Sequence, residues 1–305
     1  MTSGRRAAAS GAATDHGLRL AVPAGDLLGE TPIWCPRTNA LWWIDIERPR
    51  LHRYDPATGR HAERAIATTY LGSLALRQAG GFLVATGSAL ATCDPETGRL
   101  APFAQVEDEG LGNRLNDGRA DAAGRFWIGS MDLALHRPQA AFYCVHPDGR
   151  VVRQHDGVIV TNTVAVAPDQ RTLYVSDTRR FVVWAYDLAP ATGTLSRRRV
   201  LIDHTATGDR PDGACVDADG CLWIAMFGGG RIVRHAPDGR VDRVIPLPVT
   251  NPTCVAFGGP DYRTLYVTTA RKFLAPDVLA REPWAGGLLA LEPGPQGLPE
   301  AMFAG

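Results

Sequence analysis

The sequence predicts an all-β fold, a six-bladed β-propeller with a central channel. A turn followed by alternating apolar and aromatic residues recurs six times, as NALWWIDI, GGFLVATG, GRFWIGSM, RTLYVSDT, GCLWIAMF and RTLYVTTA. The equivalent positions in these copies are Trp42, Leu83, Trp127, Tyr174, Trp223 and Tyr266, which by subtraction lie 41, 44, 47, 49 and 43 residues apart. A period in the forties, built from short strands and tight turns, is typical of a propeller in which each repeat is one four-stranded blade.

The outer strands of the blades, and the strand that closes the ring, are predicted from turn motifs and from the two ends of the chain. Further turns come after the first five phrases at similar distances, as DPATGR, DPETGR, HPDGR, LAPATG and APDGR, and their Pro and Gly residues indicate hairpins between outer strands. No long helical pattern interrupts the series, so we expect one propeller domain over residues 18–305, after a disordered tail at 1–17. The segment GLRLAVP is expected to close the ring beside GGLLALEP, the last strand of the last blade.

Composition excludes several classes of protein. Of the 305 residues 45% are apolar and 21% charged, which is ordinary for a soluble chain, and 32 basic residues balance 32 acidic ones. Such a balance gives no field that attracts nucleic acid or an anionic membrane, and no apolar run approaches the roughly 18 residues of a membrane span. The six cysteines form no C-x-x-C pair and lie mostly in apolar strands. We therefore expect reduced, buried cysteines and a cytoplasmic monomer without nucleic-acid or membrane partners.

The repeat also predicts where a functional site lies. The innermost strands of all blades begin at the same end of the channel, so residues at equivalent strand starts meet in space. Eleven or twelve residues before the six anchors, four blades place a carboxylate or amide, at Glu30, Asn116, Asn162 and Asp212. The other two have Leu71–Gly72 and Cys254 or Val255. Apolar residues follow each polar group, so these groups are expected to be buried.

Buried acids and amides that converge need a compensating partner. An unpaired buried charge costs several kcal/mol or more, and a divalent cation removes that cost. Oxygen-only ligands suit calcium, magnesium or manganese. The alternative is that these side chains cap strand ends by bonding to backbone amides. Arg114, two residues before Asn116, can hold the oxygens of an anionic or hydroxyl-rich ligand, or it can be a solvated loop residue.

Other catalytic patterns have no support in the sequence. No histidine falls at a strand start, and there is no H-E-x-x-H, no G-x-S-x-G and no glycine loop with Walker or dinucleotide spacing. The functions that the sequence still allows are metal-assisted chemistry and the binding of a ligand without catalysis.

From about Leu18 to the C-terminus the chain resembles the regucalcin (senescence marker protein 30), gluconolactonase and luciferin-regenerating family. The motifs that carry the resemblance are GETPIW, NRLNDGRADAAGRFWIGSMD, TNTVAVAPDQRTLYVSDT, RPDGACVDADGCLWIA, GGGRI and FGGPDYRTLYVTTAR. It implies a propeller with one divalent ion in the channel, be it Ca, Zn, Mg, Mn or Fe(II), held by Glu30, Asn162 and Asp212. It also implies that Arg114 and Asn116 bind substrate. We assign the role of general base to Asp212.

The activity that the resemblance implies is opening of a sugar-acid lactone, such as L-arabinono-, xylono- or gluconolactone. One departure bears on the substrate: the segment GSMDLALHRPQAAFY lacks the substrate-contacting glutamate that regucalcin-like members carry after this strand, and Asp132 is the acid that can partly replace it. Two alternatives stay open. One is a non-catalytic calcium-binding scaffold. The other is a hydrolase of phosphotriesters or of aryl or acyl-homoserine lactones, whose apolar funnel Trp34, Met226 and Phe227 would supply.

Overall fold

The computed structural model describes residues 16–305 and confirms the predicted architecture. Six small antiparallel sheets of four strands each are arranged in a ring, which makes a six-bladed β-propeller. Within each of the first five sheets the strands follow chain order from the channel outward. Among residues 16–305, no helix has both the length and the apolar character needed to cross a membrane.

The strand bounds divide the chain into blades. Blades 1 to 3 contain β2 (Gly29–Cys35), β3 (Ala40–Asp45), β4 (Arg50–Asp55), β5 (Arg60–Ala65); β6 (Leu71–Leu76), β7 (Phe82–Thr86), β8 (Ala89–Cys93), β9 (Leu100–Gln105); and β10 (Asn113–Ala120), β11 (Phe126–Asp132), β12 (Ala140–Val145), β13 (Val151–Val158). Blades 4 and 5 contain β14 (Thr161–Val166), β15 (Thr172–Asp177), β16 (Val182–Ala189), β17 (Thr194–Asp203); and β18 (Pro211–Val216), β19 (Leu222–Met226), β20 (Arg231–His235), β21 (Val241–Pro246). Blade 6 contains β22 (Pro252–Gly258), β23 (Thr264–Thr269), β24 (Leu288–Leu291) and β1 (Arg19–Val22). The helices are short, a 3-10 turn at Glu109–Leu111 and α1 at Pro276–Arg281.

The ring closes as the sequence predicts. Strand β1 pairs antiparallel with β24, with Leu20 opposite Leu289, so the N-terminal strand is the outermost strand of the last blade. His16 and Gly17 form a turn, and the carbonyl of His16 accepts the N–H of Glu292 at 2.7 Å. The rest of the predicted tail, residues 1–15, lies outside the described residues.

The recurring phrase is the second strand of each blade, and all six anchor residues lie there. In blades 3 and 5 an aspartate explains why the phrase follows a D-x-x-G turn. Asp121 accepts the indole N–H of Trp127 at 2.8 Å, and Asp217 accepts that of Trp223 at the same distance. The same carboxylates accept backbone N–H groups of the turn, so one acid fixes both the turn and the large side chain after it. Apolar clusters fill the spaces between neighbouring sheets, and all six cysteines are free and buried.

Candidate active site

A cavity of about 340 Å³ opens where the innermost strands begin. Its lining includes all five residues that the sequence predicts for the site: Glu30, Arg114, Asn116, Asn162 and Asp212. All five side chains are buried. They come from blades 1, 3, 4 and 5, so the structure brings together residues up to 182 positions apart, by subtraction of their numbers.

A β-bulge lies in each of the four innermost strands that carry these residues. The pairing register shifts between Glu30 and Ile33, between Leu115 and Gly118, between Asn162 and Ala165, and between Pro211 and Ala214. Each shift inserts one extra residue into the innermost strand, which re-aims the side chains there.

Strained backbone accompanies two of the bulges. Thr31 and Thr163 directly follow Glu30 and Asn162, and they have φ of 48° and 56°. Positive φ is unfavourable for a β-branched residue and costs on the order of 1–3 kcal/mol, a cost that folded proteins retain mainly at functional sites.

Two buried aspartates hold the segments that precede the bulges of blades 1 and 4. Asp45, the last residue of β3, accepts the N–H groups of Leu27 and Leu28 at 2.9 and 3.1 Å. Asp177, at the end of β15, accepts those of Ile159 and Val160 at 2.9 and 3.2 Å. The segments that lead into Glu30 and Asn162 are therefore held by equivalent hydrogen bonds in blades 1 and 4.

A chain of hydrogen bonds crosses the cavity floor. Arg114 Nη1 donates to Asn116 Oδ1 at 2.6 Å, and Asn116 Nδ2 donates to Asn162 Oδ1 at 2.9 Å. Asn162 Nδ2 then donates to the hydroxyl of Thr178 at 2.8 Å, which in turn donates to the carbonyl of Pro211 at 2.7 Å. This order fixes both amides. Because an amide oxygen has two lone pairs, Asn162 Oδ1 retains one for a further ligand.

Three buried acids repel one another at this site. Burial, and then the charge of Asp117, raise the pKa of Glu30 to about 8. Burial and the charges of Glu30 and Asp117 raise the pKa of Asp212 well above its usual value. Burial also raises the pKa of Asp117 to about 6, although Arg119 opposes the shift. The nearby Arg114 has its pKa lowered by burial.

Sequence reasoning missed Asp117. Its Oδ2 accepts the N–H of Val164 at 2.8 Å, whereas its buried Oδ1 has no hydrogen-bond partner within residues 16–305. Strand alternation places residue 117 on the face opposite Asn116, which gave no reason to include it. The bulge between Leu115 and Gly118 breaks that alternation, and Asp117 interacts electrostatically with both Glu30 and Asp212.

Three expectations from the sequence were wrong. Asp132 does not replace the missing glutamate, because its oxygens accept hydrogen bonds from the backbone of His136 and Arg137 and from the side chains of Arg137 and Gln139. It is fully buried outside the cavity lining and organises the loop after β11. Trp34 and Met226 do not form an apolar funnel, since both are core residues between sheets. Phe227 does line the cavity, as expected.

The upper wall of the cavity contains residues that no motif indicated. Tyr70 lies under the guanidinium of Arg114, with 5.8 Å between Cζ and the ring centroid. Phe227 meets Phe273 edge to face at 6.3 Å, and Phe273 is 69% exposed. The remaining cavity residues that sequence reasoning did not indicate are Leu28, Ile46, Glu47, Met131, Leu133, Leu135, Val160, Thr178, Arg179, Arg210 and Lys272. Apart from Met131, which is in β11, they lie on loops between blades and between second and third strands, where no residue pattern repeats.

A separate group of possible metal ligands lies on the outer strands of blade 1. His52, His61 and Glu63 have ligand atoms within 4.8 Å of one another. Their contacts already satisfy much of this group: His52 Nδ1 lies 3.0 Å from His61 Nε2, the two rings stack on Trp43, and Glu63 pairs with Arg50. The group is distinct from the channel site.

Comparison with known proteins identifies the family of this chain. The family model described as SMP-30/gluconolactonase/LRE-like region matches residues 28–271. The chain belongs to this family. Xenopus laevis regucalcin is 34% identical over 285 residues, which cover 91% of this chain and 95% of that protein. The 6-deoxy-6-sulfogluconolactonase of Pseudomonas putida is 37% identical over 289 residues, which cover 94% and 99%.

A solved structure of the same family extends the similarity to three dimensions. The calcium-binding protein regucalcin from Agrobacterium tumefaciens superposes with a TM-score of 0.89 at 32% identity, covering 93% of this chain and 96% of that one. The SMP-30/gluconolactonase/LRE-like match spans β2 to β23, which includes every residue of the predicted site.

Proposed function

We propose that this protein hydrolyses a sugar-acid lactone with the help of one divalent cation bound by Glu30, Asn162 and Asp212. The observation that carries the proposal is the convergence of these three residues with Arg114 and Asn116 on one cavity floor. Relatives named as a regucalcin and as a sugar lactonase support the same class of reaction.

The donor set fits a hard cation. Glu30 and Asp212 are buried acids whose pKa values are raised by burial and by neighbouring acids, and Asn162 supplies an amide oxygen. Converging oxygen ligands of this kind suit calcium, magnesium or manganese, and zinc or iron(II) can also bind them. The unpartnered Oδ1 of Asp117 adds to the negative charge that a cation would neutralise.

When bound, the cation would polarise the lactone carbonyl and stabilise the oxyanion formed on water attack. The chain's own residues then supply position and proton transfer. Arg114 donates to Asn116 and to a backbone carbonyl through Nη1, and its other N–H groups remain to orient lactone oxygens. Asp212 accepts a proton from the attacking water. It returns the proton to the ring oxygen as the bond between that oxygen and the carbonyl carbon breaks, which yields the aldonic acid.

The substrate that we propose is an aldonolactone, with five-carbon aldonolactones accepted at least as well as six-carbon ones. The loop after β11 presents Leu133 and Leu135 to the cavity instead of an acid, so one acceptor for sugar hydroxyls is missing. A site without that acceptor discriminates weakly between ligands that have the hydroxyl and ligands that lack it. We expect kcat/KM for arabinono- or xylonolactone to equal or exceed that for gluconolactone. A gluconolactone preference above about tenfold, corrected for spontaneous hydrolysis, would contradict this.

Metal removal tests the proposal directly. Chelator-stripped protein is expected to lose aldonolactone hydrolysis and to recover it with a divalent metal, whereas Glu30→Gln should need more metal for the same recovery. Full activity in protein shown by elemental analysis to be metal-free would refute the proposal.

Aryl esters and phosphotriesters are assayed beside the aldonolactones. The apolar pair of Phe227 and Phe273 supports the alternative of a hydrolase for such substrates, and faster turnover of those esters would favour it. Metal binding without hydrolysis of any of these substrates would favour the alternative of a non-catalytic, calcium-binding scaffold.

A further inference from the structure

Two arginines at the rim of the cavity are not used by the proposed reaction. Arg179 follows β15 of blade 4, and Arg210 precedes β18 of blade 5. Both line the cavity and both are exposed. Within residues 16–305, neither guanidinium makes a hydrogen bond or an ion pair.

The backbone of this rim is fixed, although its two guanidinium groups are free. The hydroxyl of Thr178 donates to the carbonyl of Pro211 at 2.7 Å, which joins the residue before Arg179 to the residue after Arg210. The N–H of Arg179 donates to Asp177 at 3.1 Å, and the carbonyl of Arg210 accepts the N–H of Phe227 at 3.0 Å. The two arginines are therefore held on adjacent loops above Asn162 and Asp212.

The nearby charges do not compensate these cations. The cavity also contains Lys272 and Glu47 at its rim, but they pair with each other. Asp209 is next to Arg210 in sequence, yet it pairs with Arg231 and lies outside the lining. The rim thus carries two uncompensated positive charges.

We propose that the lactone substrate carries an anionic group at the end remote from its carbonyl, and that Arg179 and Arg210 bind that group. The inference rests on the proposed lactonase function, because the cavity floor must hold the carbonyl end. Phosphate, sulfonate and carboxylate groups can all bind at such a site, since each accepts paired hydrogen bonds from the N–H groups of a guanidinium. Leu133 and Leu135, which line the same cavity on the loop after β11 of the neighbouring blade, offer no side-chain acceptor for a neutral hydroxyl. The rim therefore favours an anion over a hydroxyl at that position.

The kinetic test compares lactones that differ only at the terminal carbon. Gluconolactone is set against its 6-phospho, 6-deoxy-6-sulfo and 6-carboxylate analogues, and kcat/KM is measured at two salt concentrations. We expect at least one anionic lactone to exceed gluconolactone by about tenfold at low salt, with the ratio falling as salt rises. The anion that gives the largest ratio identifies the group. A ratio at or below one for all three anions would overturn the inference while leaving the lactonase proposal intact.

Variants assign the effect to the rim. The double variant Arg179→Gln, Arg210→Gln is expected to lower the anionic-to-neutral ratio by about tenfold or more. The matched control is Arg150→Gln, Arg263→Gln, which removes the same charge from exposed turns at the opposite end of the propeller and should leave the ratio unchanged. An equal loss of ratio in both double variants would assign it to net charge and overturn the inference.

A binding measurement keeps the test independent of turnover. Titration calorimetry compares gluconate with 6-phosphogluconate and 6-deoxy-6-sulfogluconate. Tighter binding of an anionic acid by the parent, lost in the Arg179→Gln, Arg210→Gln variant, would support the anion site even if no lactone were hydrolysed. Equal binding of all three acids would overturn it.

Discussion

Asp212 combines two functions in the proposed mechanism, metal ligand and proton acceptor. Its carboxylate is buried beside Glu30 and Asp117, while its backbone is held by Thr163, whose hydroxyl donates to the Asp212 carbonyl at 2.6 Å. The side chain can therefore change without loss of the surrounding strand pairing.

Asp212→Asn separates the two functions. The amide keeps one oxygen for the cation but no longer accepts a proton readily, so metal binding should survive while kcat falls by about 10²–10⁴-fold. Calorimetric metal titration and lactone hydrolysis on the same preparation measure the two effects. Asp238→Asn, at an exposed turn of the same blade, is the control. A variant that binds metal and retains kcat within a few-fold of the parent would exclude Asp212 as the base.

At the scale of single elements, the ring depends on one short strand. Strand β1 has four residues, and its last residue, Val22, is 3% exposed and packs with Trp34 and Leu288. Pairing of β1 with β24 completes a blade whose other strands come from the opposite end of the chain.

A charged side chain in β1 should weaken the pairing of β1 with β24 that closes the ring. Val22→Asp places an unpaired carboxylate among apolar side chains and is expected to lower the free energy of unfolding by about 3 kcal/mol or more. Val22→Ala should cost roughly 1–2 kcal/mol through lost apolar contact, and Arg19→Ala, at an exposed position of the same strand, less than about 0.5 kcal/mol. Urea unfolding followed by tryptophan fluorescence measures all three. Equal effects of Val22→Asp and Arg19→Ala would show that the closure contributes little to stability.

At the scale of the whole molecule, the acids of the channel oppose folding unless they are neutralised. Glu30 keeps its proton in the folded protein until about pH 8, whereas its ordinary pKa is 4.5. Between these values the folded state binds more protons than the unfolded state, so the contribution of Glu30 to stability decreases as pH rises. Asp117 and Asp212 act in the same direction. Burial lowers the pKa of histidines such as His204 and His235, which act in the opposite direction at pH values below their ordinary pKa of 6.5.

Because the pH effects of the acids and the histidines overlap, the stability of a Glu30 variant is compared with that of the parent at each pH. In chelator, the stability of Glu30→Gln relative to the parent should increase steadily from pH 5 to pH 8, since the variant lacks the buried acid. Addition of a divalent cation at 100 times its Kd should stabilise the parent by about 2.7 kcal/mol at pH 8. Thermal unfolding at several pH values measures both effects. Glu96→Gln, at an exposed turn of blade 2, is the control. A difference that does not change with pH would mean that Glu30 is already ionised in the folded protein.

Much of the fold could be predicted from sequence because its signals are local and repeated. One blade cannot bury both faces of its sheet, so the same strand and turn patterns recur at each blade, and the spacing of Trp42, Trp127 and Trp223 marks the period. Equivalent register then placed Glu30, Asn162 and Asp212 at one end of the channel without any knowledge of contacts. The pairing of β1 with β24 followed from the need to complete the last blade.

What only the tertiary structure decided involves departures from that regularity and contacts between blades. Asp117 joins the acids because the bulge between Leu115 and Gly118 breaks the strand alternation on which sequence reasoning relied. Asp132 turns away from the site because Arg137 and Gln139, on an irregular loop, bind its carboxylate. Arg179 and Arg210 line the same rim because the hydroxyl of Thr178 in blade 4 binds the carbonyl of Pro211 in blade 5. A periodic sequence therefore specifies which residues reach the channel end, whereas non-local hydrogen bonds determine which of them face the ligand.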